Sequence, residues 1–383
     1  RARGIRQMIY TNSQPDDPLF PAYSVLSPNE QVHPRTAEER ATRAFDEISY
    51  TAGRGEADIM GAGVYAWGDL GPHPETFWLG FAVGAAAAWH PASADPKELA
   101  QRFYRLYHGG GAPQVARIYQ LLSTQAQFFA SSWDSVASAD RPLVFGYSYG
   151  IGPFTPHIQT LPLPPVPEAG YLRLGHDWAQ ANAKRLELAW KFLGQNDELL
   201  DLLYQMLPAV EWNRHSLEVN LSIARLCRQN LQLFQRLDEI NKQLQAAQDQ
   251  AGRLRYEQAL GALDKALEIA GRMRDERNQA LAEVAATWGK TWFPRVREAN
   301  GRHLARNPQD FVDTATSQSA KRRQEGVAYL IEREFALPLG EWVNGLRDVR
   351  NRYAAAHNLP RREGKFDWQD SRTLRGESVQ REL

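Results

Sequence analysis

Residues 57–71 read ADIMGAGVYAWGDLG, and the way this stretch folds decides what is expected of the whole N-terminal region. From Ile59 to Trp67 there is no charged side chain, and the run closes on Trp67, Gly68 and Asp69. Such near-continuous apolar character between glycines predicts a strand buried on both faces, as in parallel sheets. Upstream, IRQMIYTNS (5–13) predicts another strand ending in polar residues. Between them, TAEERATRAFDEISYTAG (36–53) predicts a helix, with Thr36 as N-cap, Glu39 three residues on, and Gly53 at the stop. After the opening stretch, PETFWLGFAVGAAAAW (74–89) predicts a second helix. Its small-residue face, Gly80, Gly84, Ala87 and Ala88, suits close packing on a sheet. Strand, helix, strand, helix is the order of a parallel α/β unit.

A parallel sheet of two strands does not stand by itself, because both faces must be covered. Residues 1–135 are therefore expected to be the C-terminal part of a (β/α)8 barrel, its last two β/α units. A whole barrel takes about 250 residues, so the remaining strands are expected upstream of Arg1. The fold class expected is thus α/β followed by all-α. Ligands of such barrels sit at the carboxyl ends of the strands. Both polar clusters, YTNS (10–13) and YAWGDLGPH (65–73), fall there.

The texture then changes. Residues 136–176 are a Pro-rich connector, in which Pro162, Pro164, Pro165 and Pro167 forbid regular helix. Residues 177–358 are predicted to form an antiparallel bundle of long helices. Ile223, Cys227, Leu231, Phe234, Leu237 and Leu244 lie on one helical stripe. Tyr256, Leu260, Leu263, Leu267, Ala270, Leu281, Val284 and Trp288 lie on another. Residues 359–383 are a charged tail without apolar periodicity, expected to be disordered.

Bulk properties narrow the function classes. The 383 residues carry 45 Lys+Arg against 45 Asp+Glu, so no net field favours nucleic acid or an anionic membrane. No apolar run reaches the ~20 residues of a membrane span. The single cysteine, Cys227, excludes an intrachain disulfide framework or a cysteine-rich metal site. HGGGAP (108–113) is neither a phosphate-binding nor a dinucleotide-binding loop, and no cofactor is implied. His73-Pro74-Glu75 offers too few ligands for a metal site. Oligomeric state is not legible. The chain starts at Arg1 rather than Met, so its true N-terminus is expected upstream and the lack of targeting information carries no meaning for compartment.

What remains is Trp67 with Asp69. An indole at a strand end can cover the apolar face of a pyranose ring, and a carboxylate two residues on can accept bonds from its hydroxyls. The glycines at 61, 63, 68 and 71 let the backbone bend close to a ligand. The structural alternative makes Trp67 a strand-end core aromatic and Asp69 the cap of the helix at Pro74. His73 shares the same rim.

GEADIMGAGVYAWGDLGPHPETFWLGFAVGAAAAWHP (55–91) resembles the final strand and helix of the glycoside hydrolase family 20 barrel, the β-N-acetylhexosaminidases. Members end that strand with Trp and, two residues later, an acidic residue, usually Glu. A helix rich in aromatics and alanines follows. The resemblance implies a carbohydrate substrate with a terminal N-acetylhexosamine, hydrolysed by substrate-assisted, retaining chemistry. It makes Trp67 the wall of the terminal-sugar subsite and Asp69 the acceptor for its outer hydroxyls, with a shorter reach than Glu. Tyr10 is the positional counterpart of the tyrosine that bonds the acetamido group. It also implies a secreted or periplasmic setting. The family's catalytic Asp-Glu pair closes a middle strand. The pairs Asp46-Glu47, Asp197-Glu198, Asp238-Glu239 and Asp275-Glu276 all fall in helical patterns here, so the acid is expected upstream of Arg1 and this chain alone is expected to be inactive. Two rivals stand beside this: a non-enzymatic helical interaction module, and a barrel glycosidase of another family.

Overall fold

The computed structural model describes residues 6–13, 37–54, 58–66, 73–90, 95–132, 163–288, 290–291, 296–299, 302–305 and 339–367. Strands β1 (Arg6–Ser13) and β2 (Asp58–Ala66) pair in parallel, with α1 (Ala37–Gly53) as the crossover between them. Met8 pairs with Gly61, Tyr10 with Gly63, and Asn12 with Tyr65, after a bulge between Gln7 and Met8. One face of this sheet is covered. Thr11 is buried there, and its hydroxyl donates to the Glu47 carboxylate on α1. Helix α2 (Trp78–Trp89) lies against the same face, and the approach is close because Gly84 has no side chain. A Cβ on Gly84 would sit 2.8 Å from Val64 Cγ2 and 3.6 Å from Ala44 Cβ.

A 3-10 turn (Pro74–Phe77) leads into α2, and α3 (Pro96–His108) and α4 (Val115–Ser132) follow. Asp95 caps α3 by accepting the Lys97 N–H at 2.9 Å, next to a proline at the first helical position. The remaining helices are α5 (Trp178–Ala181), α6 (Ala183–Met206), α7 (Arg214–Gly252), α8 (Tyr256–Trp288) and α9 (Leu339–Ala356). A short antiparallel ribbon, β3 (Val296–Ala299) with β4 (Arg302–Ala305), lies between the last two. At 1.5 Å per residue, α7 is about 58 Å long.

α7 packs along α6 on one side and α8 on the other. Its stripe of Ile223, Cys227, Leu231, Phe234, Leu237 and Leu244 is buried throughout. Polar side chains tie the layers together. Asn196 on α6 donates to the Ala224 carbonyl on α7 at 2.9 Å and to Gln125 on α4 at 3.3 Å. Arg236 on α7 reaches Glu276 on α8 at 2.5 Å. Arg350 on α9 makes a two-pronged pair with Asp264 on α8, both contacts at 2.9 Å. Within the connector, the Pro164 carbonyl accepts the Trp342 indole N–H at 2.7 Å. Beyond α9 the chain turns back along it: the Arg362 and Phe366 N–H groups donate to Asn351 and Asn344. Residues 133–162 and 368–383, which hold the rest of the connector and tail, lie outside the described residues. No helix among the described residues is long and apolar enough to cross a membrane.

The barrel expectation is overturned. Among the described residues the molecule is mostly helical, with one parallel sheet of two strands and no barrel units. β2 is also not buried on both faces: Met60 is 62 % exposed and Tyr65 49 % exposed. The apolar run misleads because Gly61, Ala62 and Gly63 have little side chain to betray which face is wet. Strand β1 shows the one-sided pattern outright, with Met8 and Tyr10 exposed and Thr11 buried.

Candidate functional site

Tyr10 and Tyr65 stand together on the open face of the sheet near the carboxyl ends of both strands. Their rings stack with centroids 4.7 Å apart and planes 21° from parallel. Each is about half exposed, so each ring keeps a face toward solvent while the other is covered by its neighbour. Gly63 makes this possible. The Tyr65 ring folds back over it, and a Cβ there would lie 2.6 Å from Tyr65 Cε2. Gly63→Ala should therefore separate the two rings without weakening the strand, since glycine in a strand costs about 0.5–1 kcal/mol relative to alanine. Near-ultraviolet circular dichroism should lose tyrosine signal while the urea midpoint holds or rises. A retained signal would mean the stack does not depend on Gly63.

Of the residues singled out in sequence, Trp67 and Asp69 lie outside the described residues. The chain is described again from His73, which is placed in full. Its side chain is buried at the foot of the 3-10 turn, where Nδ1 accepts the Glu75 N–H at 3.2 Å. Helix capping before Pro74 thus falls to His73. With Nδ1 accepting, the ring proton sits on Nε2, which faces Thr291 Oγ1 at 3.4 Å. Thr291 lies just beyond α8, and its Oγ1 is 2.9 Å from His215 Nε2 on the first turn of α7. Proton order follows: His73 Nε2–H donates to Thr291, whose hydroxyl donates to His215 Nε2. His215 then carries its proton on Nδ1, which faces Glu218 at 3.6 Å. Lys290 holds the same carboxylate at 2.7 Å, and that bond is the main cause of a lowered Glu218 pKa.

Burial, and then the proximity of His215, push the His73 pKa down to about 3. His73 is a neutral, doubly bonded ring and not the rim contact expected of it. Next to it Glu75 accepts the Tyr107 hydroxyl at 3.0 Å; burial first, then this carboxylate, raises the Tyr107 pKa. The two imidazoles share a hydroxyl and do not converge on an ion, and among the described residues no group of three or more His, Cys, Asp or Glu could hold a metal.

The four Asp-Glu pairs lie in α1, α6, α7 and α8, away from strand ends. Most of their carboxylates are engaged: Glu47 by Thr11, Asp197 by Arg228, Glu198 by Arg117, Asp238 by Lys242, Asp275 by Arg274, and Glu239 and Glu276 by Arg236. Sequence inspection missed Tyr65. Its signal was alternation: Gly61, Gly63 and Tyr65 share one face of β2, opposite Tyr10 on β1. It also missed His215 and Thr291, which nothing in the local sequence connects to His73. No family model, curated protein or solved structure matches this chain.

Proposed function

We propose that the chain is part of a glycoside hydrolase resembling the β-N-acetylhexosaminidases, contributing side chains that hold a terminal N-acetylhexosamine. The observation that carries this is the solvent-facing Tyr10–Tyr65 stack at the carboxyl ends of two parallel strands, one residue before the segment that holds Trp67 and Asp69. Aromatic faces suit the apolar C–H face of a pyranose, and the Asp69 carboxylate suits its hydroxyls. The Tyr10 hydroxyl can donate to the acetamido oxygen, which is the nucleophile in substrate-assisted hydrolysis. The Asp-Glu pairs lie in helices away from the strand ends, and the role proposed for this chain is binding and orientation.

The test is a titration of the chain with N-acetylglucosamine followed in the indole N–H region of a 15N spectrum, with Trp67 assigned by Trp67→Phe. The Trp67 resonance should shift in a saturable way, glucose should shift it at least tenfold less effectively, and Asp69→Ala should weaken binding about tenfold, the loss of a hydrogen bond to a charged group. An unmoved Trp67 resonance in the folded protein sinks the proposal and favours the helical interaction module.

A further inference from the structure

We propose that Thr291, just beyond the C-terminus of α8, and His215, in the first turn of α7, are positioning residues that hold His73, and through it the turn at 73–77, and that acid opens this link. The sugar-binding consequence rests on the function proposed above; the link itself does not.

Three features carry it. First, the contact spans the molecule: His73 Nε2 and Thr291 Oγ1 are 218 residues apart in the chain. Second, every proton in the relay is directed. The Glu75 N–H occupies Nδ1 of His73, so its Nε2 can only donate, and the Thr291 hydroxyl passes the direction on to His215. Third, the two rings are edge to face with centroids 5.6 Å apart. A proton added to His73 must enter at Nδ1, which breaks the cap of the turn and places a cation beside His215. Among the described residues, the groups facing this point are His215, Glu218 and Arg214 from α7, Lys290 from beyond α8, Tyr107 from α3, and Glu75 from the turn itself. Both nearby carboxylates are already held, Glu218 by Lys290 and Glu75 by Tyr107. Through this contact the helical region braces the turn by which the chain leaves residues 67–72.

The experiment uses the whole chain with Thr291→Val, which matches the shape of threonine without its hydroxyl, and His73→Asn, which keeps a capping acceptor but cannot titrate. Amide exchange at 75–77 should quicken about fivefold to tenfold at pH 7 in Thr291→Val, the loss of one hydrogen bond, and Thr291→Ser should restore it. In the wild type, exchange at 75–77 corrected for intrinsic rates should quicken as pH falls from 6.5 to 4.5, and this should vanish in His73→Asn. Exchange at 75–77 unchanged within twofold in Thr291→Val, or acid sensitivity retained by His73→Asn, overturns the proposal. Where N-acetylglucosamine shifts Trp67, Thr291→Val should weaken its affinity severalfold; where the wild type binds no sugar, the function fails and the exchange arms still judge the link.

Discussion

Replacing Phe234 with alanine should lower the unfolding free energy by about 3–5 kcal/mol, the usual cost of truncating a fully buried phenylalanine. Phe234 has no exposed surface and sits midway along α7, the helix that α6 and α8 both pack against. Neighbours cannot collapse into the space, because they are fixed by their own helices on both sides, so the cavity term adds to the lost transfer energy. A urea titration measures the loss. Cys227 supplies a local check. It lies two turns away on the same stripe and is 1 % exposed, so its thiol should react slowly with an aromatic disulfide reagent. In Phe234→Ala that reaction should quicken in step with the lost stability. A loss below about 1 kcal/mol would mean that the stripe repacks, and that α7 is not the spine of the core.

The second large effect is acid lability. His108 ends α3, has no exposed surface, and sits among the rings of Phe103, Tyr107 and Tyr119. Its Nε2 meets the Tyr119 hydroxyl at 3.4 Å, and its Nδ1 has no partner among the described residues. A helix C-terminus favours a histidine cation by about 0.3–1 kcal/mol. Burial outweighs this and lowers the pKa to about 4. The shift from 6.5 is worth about 3.4 kcal/mol at 1.36 kcal/mol per unit. For His73 the value is about 3. Both folded values lie below the unfolded one, so the unfolded chain takes up protons first as pH falls. The stability tied to neutral rings is therefore complete above pH 6.5 and drains away below it. With two such groups the folding constant should fall by roughly fiftyfold to a hundredfold per pH unit between about pH 5.5 and 4.5, where the unfolded rings are charged and the folded ones still neutral, and about 4–5 kcal/mol should be gone at pH 4.5 relative to pH 7. Urea midpoints across pH 7 to 4.5 measure this, and His108→Phe should remove roughly half of the slope. A flat profile would mean that both imidazoles are solvated.

How much of this was legible in the residues differs from element to element. The spacing of apolar positions along 214–252 and 256–288 already determined two long helices, because a stripe recurring every three or four residues has no other regular way to be buried. Local signals were readable too: Gly53 closes α1, and Gly84, inside α2, lets that helix approach Val64. The parallel pairing of β1 and β2 likewise followed from the intervening helix. The architecture around that sheet did not. Glycine and alanine at 61–63 make a strand look apolar whichever face is wet, so the one-sided burial of β2 could not be told from the two-sided burial of a barrel strand.

The site divides along the same line. Sequence by itself placed Tyr10 near the end of one strand, because chain order and strand period are local properties, while Tyr65 on the other strand was hidden in an apolar run. Only tertiary structure decided that those rings stack, and that His73 is a buried pivot rather than a rim group. Its partners arrive from the ends of α7 and α8, and hydrogen-bond direction and desolvation depend on where those ends come to rest.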